Sequence, residues 1–140
     1  MNKQKRKGTK FETMLVDWLH RNGFPEARRE VLHGAKDVGD IGGVTWRGRP
    51  VVIEAKDCSQ QRHIAWLNEA EAERKNADAI IAIVVAHKSG CGVGRFGEND
   101  CLIDLRHLAD LMDARNYPSG YAILRLRTVA ELLRGDSYAS

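Results

Sequence analysis

The longest purely apolar run in the chain is Ala79 to Ala86, eight residues in which Ile and Val predominate. It is far shorter than the roughly 18 residues of a membrane-spanning helix. Because the run is apolar at every position, it predicts a strand that is covered on both faces at the centre of a sheet. A strand of this kind requires helices packed against the sheet.

The rest of the chain supplies strands and helices for such a fold. Val51 to Ala55 is apolar and β-branched, which predicts a second strand, and Arg47 to Pro50 is typical of the hairpin turn before it. A helix is predicted over 9–22. Thr9 and Glu12 have the spacing of a capping box at its start, and apolar residues then recur with helical spacing: Phe11, Met14, Leu15, Trp18 and Leu19. Further helices are predicted over 61–76, 106–115 and 128–134. The three glutamates of the first of these are expected to face outward. Further strands are predicted over 26–32, 40–44, 101–105 and 121–126.

This element order predicts an α/β fold with a mixed central sheet flanked by helices. At 140 residues, 43% of them apolar and 29% charged, the chain has the size and composition of one globular domain rather than of a disordered segment. We expect a single domain over 1–140, with a basic flexible arm over 1–7 and a carboxyl-terminal extension over 106–140.

Positive charge is concentrated near the amino terminus. Residues 1–36 hold nine Lys or Arg against four Asp or Glu, although the whole chain carries only +3. This asymmetry favours a nucleic-acid partner, with solvated surface charge as the alternative. The candidate DNA-binding residues are Arg6, Lys7, Lys10, Arg28, Arg29, His33, Lys36 and Lys88.

Cysteine usage and the lack of targeting features indicate where the protein works. The three cysteines form no CxxC pair, and their odd number argues against a disulfide scaffold. The basic start is not followed by an apolar stretch, as it would be in a secretory signal. We therefore expect a protein without membrane attachment in the cytoplasm of a prokaryote or of a phage-infected host cell.

The residues with the clearest chemical meaning are Asp40 and, 14 positions later, Glu54-Ala55-Lys56. Glu54 and Lys56 project from the same face of the predicted strand, and a hairpin can bring Asp40 beside Glu54. Adjacent carboxylates repel unless a cation lies between them, so the pattern indicates a divalent metal such as Mg²⁺. For Glu54 and Lys56 alone, a surface ion pair remains the alternative.

Two weaker patterns lie nearby. Gln60 and Gln61 could orient a water or a ligand carboxylate, although capping of the following helix is the alternative. The glycines at 92, 94 and 97 match GxGxxG, but a dinucleotide site needs them to open a helix after a strand, and here a strand is expected to follow. We therefore expect no nucleotide cofactor, and instead a mobile hairpin near DNA that carries Lys88 and Arg95.

The pattern Asp40 … Glu54-x-Lys56 resembles the signature of the PD-(D/E)XK nuclease superfamily. Within it, the chain resembles archaeal-type Holliday junction resolvases and, more closely, those of phages and actinobacteria. The resemblance spans about residues 6–105. It rests on Gly8-Thr9-x-Phe11-Glu12, on residues 32–41 (LHGAKDVGDI), on Glu54-x-Lys56, on Trp66-Leu67 and on Val84-Val85. The proline of the superfamily's name is absent, since Gly39 precedes Asp40.

The resemblance implies a restriction-endonuclease-like core and a homodimer that cuts branched DNA in recombination or replication. The alternatives are a structure-selective or nonspecific duplex DNA nuclease of the same superfamily and a catalytically silent DNA-binding module. It implies Mg²⁺-assisted phosphodiester hydrolysis that leaves 5′-phosphate ends, with Mn²⁺ as a possible substitute. It further implies that Asp40, Glu54 and the main-chain carbonyl of Ala55 hold the metal, that Lys56 is the catalytic lysine and that Glu12 is an accessory acid. Asp37 competes with Asp40 as a ligand, and Glu12 is a further candidate ligand. We favour Asp40 because a strand is predicted to begin there.

Overall fold

The computed structural model describes residues 3–31 and 37–135, with side chains from residue 6 onward. Its helices are α1 (Lys3–Arg21), α2 (His63–Asn76), α3 (Leu105–Leu111) and α4 (Leu126–Arg134), and a 3₁₀ helix spans Val93–Glu98. Its strands are β1 (Arg28–Arg29), β2 (Ile41–Gly42), β3 (Thr45–Trp46), β4 (Arg49–Lys56), β5 (Ile81–Ala86), β6 (Asp100–Asp104) and β7 (Tyr121–Arg125). No helix in these two ranges has the length and hydropathy to cross a membrane.

The strands form one sheet in the order β1-β2-β4-β5-β6-β7, and β3 also pairs with β4. β4 and β5 run parallel, from Val51 beside Ile81 to Lys56 beside Ala86. The other pairings in the described ranges are antiparallel. A parallel pair needs a crossover connection, and α2 provides it. The predicted mixed sheet flanked by helices is therefore confirmed, and so is the central strand, because every residue of β5 is buried.

Side chains alternate along β4 between two hydrophobic cores. Val51 and Ile53 belong to the larger core, with apolar residues of α1 and α4. Val52 belongs to the smaller core, with Trp66 and Ala70 of α2. Because side chains two apart share a face, Glu54 and Lys56 project toward the α2 side.

Helix α1 begins earlier than the capping-box pattern predicts. Thr9 lies inside the helix, where its main-chain oxygen accepts a hydrogen bond of 3.0 Å from the Thr13 hydroxyl. The expected flexible arm is therefore wrong for residues 3–7, which are helical. Lys, Gln and Arg favour helix, and the cost of about 1 kcal/mol for Gly8 is small enough to be tolerated. The predicted end near Gly23 is confirmed, since Gly23 has a φ of +98° just beyond the helix.

The predicted hairpin turn before β4 is confirmed. Arg47 and Gly48 both have positive φ, 51° and 77°, which suits a two-residue connection between β3 and β4. Between β2 and β3 the chain bends at Gly43, whose φ is +81° and where a Cβ would lie 1.9 Å from the Glu26 carbonyl oxygen. The bend leaves Ile41 paired with Ile53, so Asp40 lies at the level of Glu54.

The segment expected as a carboxyl-terminal extension belongs to the same sheet and core over residues 105–135. β7 pairs with β6 from Tyr121 beside Asp104 to Arg125 beside Asp100. α4 then buries one apolar side against the larger core. Its buried residues are Leu126, Val129, Ala130 and Leu133. Residues 136–140 lie outside the described ranges.

Candidate active site

A cleft of about 660 Å³ lies at the carboxyl end of β4, between α1 and α2. It brings together most of the residues that the sequence singles out for catalysis or metal binding. Among its lining residues are Glu12, Asp37, Asp40, Glu54, Ala55, Lys56 and Gln60. A second hollow, of about 700 Å³ and mainly apolar, adjoins this cleft and shares Lys7 and Asp57 with it.

Asp40 is fixed to β4 by two hydrogen bonds. Its main-chain N–H donates to the Ile53 carbonyl oxygen at 3.0 Å, and its carboxylate Oδ2 accepts from the Ala55 N–H at 2.9 Å. In a β-strand, the N–H and C=O of one residue point to the same side of the strand, and those of the next residue point to the other side. The Ala55 carbonyl therefore points toward the same edge as the Ala55 N–H. This places a carboxylate and a main-chain carbonyl side by side at the point where β2 begins.

Glu54 and Lys56 enter the cleft from β4 in different environments. Glu54 is only 2% exposed, because it lies where the strand leaves the core under α2. The Lys56 ammonium lies 3.7 Å from Glu54 Oε2 and donates a 3.0 Å hydrogen bond to Glu69 Oε2. The lysine is therefore held between an acid of its own strand and an acid of the neighbouring helix.

Two glutamates of α2 were missed by the sequence interpretation as site residues. Carboxylate oxygens of Asp37, Glu54, Glu69 and Glu73 all lie within 4.8 Å of one another, a grouping that could hold a metal ion. The prediction that the glutamates of this helix face outward is wrong for Glu73, which is 2% exposed. A signal was present in the sequence, because residue 73 continues the helical spacing of the buried Trp66 and Ala70.

Electrostatics in the cleft reflect the crowding of buried acids. Desolvation by burial is the largest cause that raises the pKa of Glu54 far above its ordinary value, and Glu73 and Asp40 add to the rise. Desolvation likewise raises the pKa of Glu73. Two ionised carboxylates cannot hydrogen-bond to each other, so this pair needs either a proton or a cation.

The pKa values of Lys56 and Glu12 are also shifted from their ordinary values. Desolvation is the largest effect on Lys56 and lowers its pKa, but the hydrogen bond to Glu69 and the charge of Glu54 outweigh it, so the net pKa is raised. The pKa of Glu12 is raised by desolvation and by the charge of Asp40, although a 3.2 Å hydrogen bond from Arg29 opposes the rise. Lys56 is thus an ammonium in this arrangement, and Glu12 faces Asp40 from the α1 side.

The cations proposed to contact DNA occupy different positions. Arg6, Lys7 and Lys10 are exposed on the first half of α1, and the Lys7 ammonium lies 3.5 Å from Asp57 at the rim of the cleft. Arg28 is paired with Glu30 at 3.2 Å. Because Arg29 is bonded to Glu12, the structure gives it a role in holding that acid.

The remaining candidates lie around the cleft or outside the described ranges. Lys88 is exposed in the loop after β5, and its main-chain N–H donates to Asn99 Oδ1 at 2.8 Å. Gln60 accepts a bond from Arg62, and Gln61 contacts His63, so both amides have local partners near the start of α2. The GxGxxG segment, residues 92–97, overlaps the 3₁₀ helix, and β6 follows it. His33 and Lys36 are among residues 32–36, which the structure does not describe.

Comparison with known proteins leaves the family open. No protein-family model matches the chain, and neither the curated proteins nor the solved structures yield a match.

Proposed function

We propose that the protein is a metal-dependent DNA endonuclease of the PD-(D/E)XK type and that it resolves four-way junctions. The observation that carries the proposal is the convergence of Asp40, Glu54 and Lys56 in one cleft, with the main chain of Ala55 tied to Asp40. These are the positions at which the chain resembles the superfamily: Glu54 and Lys56 lie on β4, and Asp40 immediately precedes β2.

The donor set suits a hard divalent cation. Mg²⁺ prefers carboxylate, carbonyl and water oxygens, and the cleft offers the first two from Asp40, Glu54 and Ala55. Burial of Glu54 beside other acids supports the fit, because a cation would remove the repulsion between them. Held by Asp40, Glu54 and Ala55, Mg²⁺ would supply polarisation of the phosphodiester and a lowered pKa for a bound water.

The side chains around that position have distinct tasks in this proposal. Lys56, protonated because its net pKa is raised, stabilises the negative charge that develops on the phosphate. Asp40 keeps its orientation through the Ala55 N–H bond. Glu12, held by Arg29, is the accessory acid on the opposite wall.

The fold and the charge distribution support a DNA substrate. An initial helix, an antiparallel β2–β4 pair and a parallel β4–β5 pair joined by a helix are consistent with a restriction-endonuclease-like core. Arg6, Lys7 and Lys10 form a basic surface on α1 beside the cleft, which suits phosphate contacts. The choice of a four-way junction, cut by a homodimer with one site for each strand, rests on the resemblance in residues 6–105.

Single-turnover cleavage of a labelled four-way junction by matched variants tests the proposal. Asp40→Asn, Glu54→Gln and Lys56→Gln should each lower the rate by at least about 100-fold, since each removes a charge from the reacting centre. Asp110→Asn and Lys75→Gln are controls that neutralise exposed charges outside the cleft. Wild-type rates in the three cleft variants would show that the active site lies elsewhere.

A further inference from the structure

Glu73 is the least satisfied charged group in the described part of the chain. It is 2% exposed, and neither carboxylate oxygen has a hydrogen-bond partner there. Leaving a buried carboxylate without a partner is strongly destabilising, so buried acids are normally paired or bound to a metal. Glu73 lies beside Glu54, so this buried pair of carboxylates needs a proton or a cation between them.

The groups around Glu73 are themselves acidic. Oxygens of Asp37, Glu54 and Glu69 lie within 4.8 Å of it and of one another. Lys56 is the cation nearby, but its described ion pairs are with Glu54 and Glu69. One ammonium bound at the outer side of the cluster leaves the buried carboxylate uncompensated.

We propose that Glu69 and Glu73 are metal ligands and complete, with Asp37 and Glu54, a divalent-cation site between β4 and α2. The two helix residues are four apart and therefore share one face of α2. Asp37 is oriented by the Gly39 N–H, which donates to its Oδ1 at 3.0 Å. This site extends beyond the Asp40, Glu54 and Ala55 position, and Glu54 is common to both.

Glu69 gives the site a link to the catalytic lysine. Its carboxylate now accepts a 3.0 Å bond from Lys56. A cation that takes Glu69 as a ligand competes with that bond and leaves Lys56 available to a substrate phosphate. The inference rests on the proposed function for the identity of the cation, so its test measures binding separately from cleavage.

The experiment is calorimetric titration of Mn²⁺ and Mg²⁺ into the metal-free wild type, Glu73→Gln and Glu69→Gln, with melting curves of each. We expect Glu73→Gln to weaken binding at least tenfold and to lose most of the metal-induced rise in Tm, because it removes a ligand. Asp57→Asn is the charge-matched control. Asp57 lines the same cleft but is paired with His87 and Lys7, so its loss should weaken binding less than threefold.

The outcomes separate this inference from the proposed function. Wild-type metal affinity in both Glu73→Gln and Glu69→Gln would overturn the site, even if the wild type cuts DNA. Loss of binding in these variants, together with a wild type that cuts no DNA, would support the site and contradict the nuclease. Because Glu69 is exposed, Glu69→Gln should fold. Its metal affinity then tests the site even if Glu73→Gln does not fold.

Discussion

Replacing Glu54 by Gln should stabilise the metal-free protein while it abolishes the proposed cleavage activity. The carboxylate is 2% exposed and close to Asp40 and Glu73, and its pKa is raised chiefly by burial. The folded chain thus disfavours its ionised form, whereas the unfolded chain does not. An isosteric amide removes this penalty at neutral pH.

The expected gain in the free energy of unfolding is about 1–3 kcal/mol at pH 8, which is the size of the desolvation penalty of a buried polar group. The lost contact with Lys56, 3.7 Å long, opposes the gain by at most about 1 kcal/mol. A net gain of about 1–2 kcal/mol corresponds, for a chain of this length, to a rise in Tm of roughly 2–8 °C.

The pH dependence of the stability gain shows whether ionisation of Glu54 causes it. A carboxyl with a raised folded pKa costs nothing below its ordinary value of 4.5 and costs more as the pH rises above it. Urea unfolding in EDTA should therefore show a large gain for Glu54→Gln at pH 8 and little near pH 4.5, with Asp110→Asn as the exposed control. A destabilised Glu54→Gln at pH 8, or a gain independent of pH, would refute this reasoning.

Three further perturbations test the fold and the proposed DNA surface. Leu126→Ala, in the core under α4, should lower the free energy of unfolding by about 2–5 kcal/mol in urea, and a loss below 1 kcal/mol would contradict its place there. Gly43→Ala should lower Tm measurably, since its Cβ would meet the Glu26 carbonyl at 1.9 Å, whereas Gly92→Ala has open space and should not. Lys10→Ala should weaken DNA binding and reduce the slope of log affinity against log salt by about 1, and an unchanged slope would rule out a phosphate contact.

The central part of the fold was predictable because local and long-range signals agree there. The run from Ala79 to Ala86 is apolar at every position, so as a strand it must be covered on both faces. The structure agrees, since every residue of β5 is buried. The turn at Arg47 and Gly48 reverses the chain direction. Counting residues on either side of this turn places Asp40 near Glu54, so their proximity was predictable.

The parts that sequence reasoning missed depend on tertiary contacts. Glu73 was assigned to the surface because glutamate is rarely buried, yet the helical period places it beside Ala70 under the sheet. The helical start of α1 follows from the propensities of residues 3–7, which a capping motif at Thr9 concealed. Arg29 could not be paired with Glu12 from spacing, because 17 residues separate them.

The central claim is that this cleft hydrolyses DNA with a divalent metal. Its most direct test is cleavage by the purified wild type of a labelled four-way junction, beside linear duplex, nicked duplex and a flap, in Mg²⁺ or in EDTA. The account predicts Mg²⁺-dependent, paired cuts in the junction and none in EDTA. Cleavage of every substrate would keep the nuclease and contradict its selectivity for junctions. Binding without cleavage in both Mg²⁺ and Mn²⁺ would contradict the central claim.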